Sequence, residues 1–250
     1  MQVISRFRFA ALRWSVMVVA ILATVAGAAQ LAVPEAGALP ATRQWTGAGA
    51  NGDWTDPANW GGTAPLPGEI LAFPAGPTRL DTLNDFPAGT NFLQIVVSGS
   101  GYTLAGNRVN LTTGLTTSHA ASVVTVNLVL SGPGGVVVNG DGRVVLAGAN
   151  TFDGAVRVNQ GFLRVRDAAA LGSTVGNTSI GNVSVAGGGL EIEGSFDIAE
   201  SITLDASAHA LLHQIAGAAV LSGPLDIPLP DSGVDIQTGA SLTINGPILG

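Results

Sequence analysis

Apolar and polar residues alternate one for one in short runs along most of the chain. Leu93, Ile95 and Val97 share one side, then Tyr102 with Leu104 and Val109 with Leu111. Val124, Val126, Leu128 and Leu130 follow, with Thr125 and Asn127 opposite, and then Val136 with Val138. Val144 pairs with Leu146, Val156 with Val158 across from Arg157, and Leu163 with Val165 between Arg164 and Arg166. The pattern resumes at Val183 and Val185, Leu190 and Ile192, Ile202 and Leu204, Ala219 and Leu221, Val234 and Ile236, and Leu242 and Ile244. Period two is the mark of a strand with one buried face. In the central stretch Gly148, Asn150, Asp153, Gly154, Asn159 and Gly161 separate the strands. These residue types tolerate positive φ or hydrogen-bond their own backbone, and so turn the chain at low cost.

Strand and turn recur at intervals of roughly 20–27 residues, which is the period of a solenoid. One coil cannot bury its own apolar side, so neighbours must stack on it. About seven coils, at ~4.8 Å per rung, predict a rod some 30–35 Å long.

The run from Gly142 carries more than periodicity. It reads Gly-x-Val-x-Leu-x-Gly-Ala-Asn-Thr-Phe-x-Gly, then Val-x-Val-x-x-Gly-x-Leu-x-Val, and closes on Ala170-Leu171-Gly172. The positions that carry this signature are Gly148, Asn150, Thr151, Phe152, Gly154, Gly161, Leu163, Val165, Ala170, Leu171 and Gly172. It resembles the autotransporter-associated β-strand repeat of bacterial passenger domains, closely over these residues and more loosely from Trp45 onward. The resemblance implies an all-β, right-handed parallel β-helix exported to the cell surface, with adhesive or scaffolding roles and often no chemistry. It also implies export in an unfolded state, which disulfides would hinder.

Composition narrows the partners. The chain has no Cys, which excludes a disulfide framework and thiolate metal sites. All basic residues are Arg, and Arg6, Arg8 and Arg13 lie near the N terminus, so the remainder sets seven Arg against 17 acids, a net charge near −10. Such a surface repels nucleic acid and anionic lipid.

Residues 1–28 read as a secretory signal peptide: those three arginines, an apolar core from Trp14 to Val25, and Ala26-Gly27-Ala28 as the cleavage site. Its uninterrupted core is shorter than the ~20 residues of a spanning helix. No integral membrane segment is expected once it is cleaved. Residues 29–44 form an Ala/Pro/Gly-rich linker, 45–90 an N-terminal cap and lead-in segment with irregular strands, and 91–250 the β-helix repeats. Pro247-Ile248-Leu249-Gly250 adds no polar or aromatic closure, which predicts truncation at the C terminus.

Three of the four Trp residues, Trp45, Trp54 and Trp60, fall in one short stretch. Large rings there suit a cap over the open cross-section of the first coil. The alternative is a ligand-binding platform on which sugar rings stack. Asn51, Asp53 and Asp56 do not complete a calcium loop, because the central Gly and terminal bidentate Glu are out of place. An Asn-Gly turn explains them.

Glu191 and Glu193 lie two apart on one strand, with Asp197 and Glu200 soon after. Paired carboxylates are the equipment of glycoside cleavage, but two Glu on the solvent side of an amphipathic strand are expected in any case. His209 and His213 would suit a metal only on a helix, and their surroundings read as strand. There is no nucleophile elbow or phosphate loop. The sequence therefore predicts no catalytic residue, no metal site and no cofactor. The function it predicts is a surface scaffold or adhesin-like passenger segment that meets surface glycans or proteins of a host or neighbouring cell, or associates with itself. A polysaccharide-binding or polysaccharide-cleaving β-helix is the alternative.

Overall fold

The computed structural model describes residues 39–120, 122–181, 188–205, 210–228 and 232–250. The expected leader, most of the linker, Val183, Val185 and His209 lie outside the described residues. Among those described, the chain is a β-solenoid of about 8 turns in which every strand pairing is parallel. The one helical element among the described residues is a single 3-10 turn, Pro57–Trp60.

The coil has two long faces. The first sheet stacks Thr42–Gln44, Ile70–Phe73, Thr90–Val97, Val109–Thr117, Gly135–Val138, Val156–Val158, Thr178–Ile180, Ile202–Leu204, Leu225–Asp226 and Ile248–Leu249 in that order. The second stacks Asp81–Asn84, Thr103–Gly106, Val123–Val126, Arg143–Leu146, Gly161–Val165, Gly188–Glu193, Leu211–Ala216 and Gly233–Ile236. A shorter third sheet joins Asp197–Ile198, Ala218–Leu221 and Ser241–Ile244.

Alternation explains the core. Val124, Val144, Leu163, Leu190 and Leu212 occupy one register column of the second sheet, and each is fully buried. Val138, Val158, Ile180 and Leu204 make the equivalent column of the first sheet, also fully buried. Each such side chain contributes about 1.5–3 kcal/mol on leaving water. The columns run along the axis, so each rung's apolar residues stack on those of the rungs before and after it within one core shared by both sheets.

Two expectations need correction. The stacking does not begin near residue 91, because Thr42–Gln44, Ile70–Phe73 and Asp81–Asn84 are already regular rungs of the two long sheets. Thr42–Gln44 carries no apolar residue, and Asp81–Asn84 turns Thr82 and Asn84 inward, so alternation of apolar with polar positions does not mark them. Second, most corner glycines of the central repeat are not there for positive φ. Gly161 has φ +74°, but Gly154 needs its missing side chain because a Cβ would lie 2.4 Å from the nitrogen of Gly135 on the preceding rung.

Candidate functional site

The three Trp side chains sit at the N-terminal end of the described chain, all buried. Trp45 and Trp60 meet edge to face at 5.1 Å between centroids, Trp54 and Trp60 at 6.5 Å, and Phe73 packs against all three. Trp60 Nε1 donates to the Trp54 carbonyl at 2.8 Å, and Trp45 Nε1 to the Arg79 carbonyl at 2.9 Å. With 1%, 0% and 5% of their surface exposed, none offers an open ring face to a sugar. The neighbouring polar residues hold the turn: Asn51 Nδ2 donates to Asp53 at 2.6 Å, and Asp56 accepts from the Ala58 amide as cap of the 3-10 turn. Among the described residues no group of three or more acids and histidines could hold a metal.

The repeat signature is structural. Asn150 is buried and links three rungs, its Oδ1 accepting from the Leu130 amide at 2.8 Å and its Nδ2 donating to the Ala170 carbonyl at 2.7 Å. Phe152, Leu163, Val165, Ala170 and Leu171 are core, and Thr151 is exposed. Gly172 has φ +94° and lies against the Phe152 ring, where a Cβ would come within 2.7 Å. A Cβ on Gly148 would meet the Leu128 carbonyl oxygen at 2.7 Å.

Chemistry concentrates on the outer face of the second sheet. The register aligns Val145, Arg164, Glu191, His213 and Asp235 in one column and Val123, Arg143, Phe162, Gly189 and Leu211 in the next. Arg143 reaches across two rungs to Glu191, its Nε to Oε2 at 2.7 Å and its Nη2 to Oε1 at 2.8 Å. Arg164 Nε adds a third bond at 2.8 Å to Glu191, and Arg164 and Arg166 both donate to Glu193 at 3.0 Å. The Arg143 guanidinium passes 5.5 Å from the centroid of Phe162. Val145 points outward yet is only 2% exposed.

The sequence placed Glu191 on a solvent-facing strand side without partners. Its position on the outer face is right, but Glu191 is buried and its partners come from rungs 27 and 48 residues earlier. Burial alone would raise its pKa, and the hydrogen bonds from Arg143 and Arg164 outweigh that and hold it below the usual carboxylate range. A general acid needs the opposite shift. His213 lies on the strand Leu211–Ala216, with Nε2 3.4 Å from Asp235.

Two further features, His119 and a surface cleft, were not singled out from the sequence, and Glu200 was noted only as an acid following the Glu pair. His119 is buried, with neither ring nitrogen hydrogen-bonded, and burial lowers its pKa despite nearby backbone groups. Glu200 is a buried carboxyl whose pKa burial pushes up to about 7, against one opposing hydrogen bond from Thr178. Between the rungs of the second sheet lies a cleft of ≈ 250 Å³ lined by Ser122, Val123, Asp141, Gly142, Arg143 and Phe162. Arg143 leans from it toward Glu191 on a later rung.

Over 157 residues the chain is 34% identical to the Adhesin BmaC autotransporter of Brucella suis biovar 1 (strain 1330), a stretch that covers 60% of this chain. The solenoid fits an autotransporter passenger-type β-helix. That stretch is 4% of the relative's length. No protein-family model matches the chain, and no solved structure does. No helix among the described residues is long and apolar enough to cross a membrane.

Proposed function

We propose that this chain is an exported, non-enzymatic segment of an autotransporter-like surface protein, in which a stiff acidic solenoid presents its outer faces for adhesion. In this reading residues 1–28 are the cleaved leader, a linker leads from there to the first rung at Thr42, the Trp cluster of 45–90 covers the first coil, and the stacked rungs continue through 91–250. The observation that carries it is the outer ladder of Arg143, Arg164, Arg166, Glu191 and Glu193. Both carboxylates are tied to guanidinium groups, so they supply surface chemistry but no poised acid and base. The resemblance to a protein named as an adhesin points the same way. The partners are surface glycans or proteins of a host or neighbouring cell, or other copies of the chain.

The test is display of the chain on a non-adherent bacterium, followed by counts of cells retained on host-cell monolayers and of cells clumping with each other. Retention or clumping above the empty display system is expected. Equal counts in all cases, with the chain detected folded at the surface, would refute the adhesive role, and turnover of a polysaccharide by the purified chain would refute the non-enzymatic one.

A further inference from the structure

The cleft on the second sheet has a floor and a rim of different chemistry. Val123, which is 39% exposed, the Gly142 backbone and Phe162 form the apolar floor. The Ser122 hydroxyl, the Asp141 carboxylate and the Arg143 guanidinium stand around it.

Its shape is built in. A Cβ on residue 142 would lie 2.3 Å from the His119 ring, so Gly142 lets the buried imidazole pack beneath the rung and presents only backbone to the cleft. Arg143 leaves its own rung, crosses Phe162 and is fixed at both ends of the Glu191 carboxylate. Gly189 in turn leaves room for the Phe162 ring, which would lie 2.6 Å from a Cβ there. The ion pair uses Nε and Nη2 of Arg143 and leaves the Nη1 hydrogens as donors. Asp141 accepts one hydrogen bond from Gln160 at Oδ1 and retains acceptor capacity at Oδ2. Charged donor and acceptor therefore flank an apolar surface, and both are prepositioned.

We infer that this cleft is a subsite for a single pyranose unit of a glycan. A sugar ring has an apolar C–H face and a polar edge of adjacent hydroxyls. The C–H face meets Val123 and Phe162, one hydroxyl donates to the Asp141 carboxylate, and its neighbour accepts from Arg143. The volume of ≈ 250 Å³ falls below the ~300–1,000 Å³ that encloses drug-sized ligands, and suits one ring held from one side. A purely anionic ligand fits less well, because Asp141 stands at the rim and Arg143 is already neutralised by Glu191. The inference deepens the adhesive reading and rests on it for its biological setting, while the binding chemistry stands separately.

The test is saturation-transfer NMR on the full chain with methyl pyranosides of glucose, galactose and mannose, and with glucuronate, each titrated to tens of millimolar. At least one pyranoside should bind with a Kd of ~1 mM, an energy of roughly 4 kcal/mol. Asp141→Ala changes an exposed side chain, should leave the melting temperature unchanged, and should weaken binding at least tenfold. Asp153→Ala, at a different corner, should bind as the unaltered chain does. Binding of no pyranoside, equal binding by Asp141→Ala, or displacement of the sugar by sulfate at equal concentration would overturn the inference. If no sugar binds but displayed cells still adhere, the cleft assignment falls and the adhesive function stands. If sugar binds through Asp141 but displayed cells do not adhere, the reverse holds.

Discussion

Thr178 donates its hydroxyl to Oε1 of Glu200 at 2.9 Å, and among the described residues Oε2 of the same carboxyl has no partner. The register places Glu200 where the neighbouring rungs carry Gly154, Gly176 and Gly223. A carboxyl thus occupies a corner column otherwise kept clear of side chains, with one hydrogen bond to offset its burial.

The first prediction concerns pH. The fold raises the Glu200 pKa to about 7, above the ~4.3 of an unperturbed Glu, so the native state holds a proton that the unfolded chain has released over that interval. Stability from this group is therefore full below pH ~4 and is lost as pH rises through 7, a change on the order of 3 kcal/mol. Glu200→Gln removes the titration. Urea denaturation at pH 4, 6 and 8 should show the variant gaining on the unaltered chain as pH rises. Parallel curves would show that the carboxyl is not buried as described.

Glu191 predicts the opposite slope. Its folded pKa lies below the unfolded value, so its contribution is present above pH ~4.3 and is lost as pH falls through the folded value. Neutral His119 acts in the same sense, losing stability as pH falls below ~6.5. Glu191→Gln at pH 7 should cost about 1–3 kcal/mol, since the two arginines lose a charged acceptor while remaining partly solvated. A double-mutant cycle of Glu191→Gln with Arg143→Gln should show coupling, and additive effects would mean that the pair is not formed in solution.

Asn150→Ala should destabilise by about 2–4 kcal/mol, because it leaves the Leu130 amide and the Ala170 carbonyl without their partner in a buried corner. Asn150→Asp keeps the acceptor but loses the donor and buries a charge, so it should be the worse of the two at pH 8 and recover at pH 4. Chemical denaturation of both variants decides this. A loss under about 0.5 kcal/mol for the alanine variant would contradict the bridge.

Trp54→Ala should cost about 3–5 kcal/mol through the cavity it leaves among Trp60, Phe73 and Phe92. The indoles are covered, so a sugar bound on the second sheet should leave tryptophan emission unmoved. A variant that melts like the unaltered chain but no longer binds glycan would instead identify the cluster as a binding platform.

What the sequence made legible was whatever lies within one strand. Val144 and Leu146, or Leu163 and Val165, announce an inward face by alternation alone, and their columns form as expected. Spacing along the chain carries no such record of what meets across rungs. Glu191 looks like any outward Glu, because Arg143 lies 48 residues away, at a distance set by two coils of differing length. Gly154 reads as a turn former, whereas the backbone of the rung beneath it is what excludes a side chain. The cleft was hidden for the same reason, being defined by Val123, Gly142 and Phe162 on three successive rungs.

The parallel stack also fixes how the molecule answers force. Arg143 pairs with Phe162, Val136 with Val156 and Thr42 with Ile70, so successive rungs are offset by 19 to 28 residues and each is bonded to its two neighbours alone. Tension along the chain would peel the outermost rung while those behind it stay bonded. Each detachment frees one coil of slack, roughly 60–100 Å at ~3.3–3.6 Å per residue. A tether so made lengthens in steps under load, giving up one coil at a time before its anchorage fails.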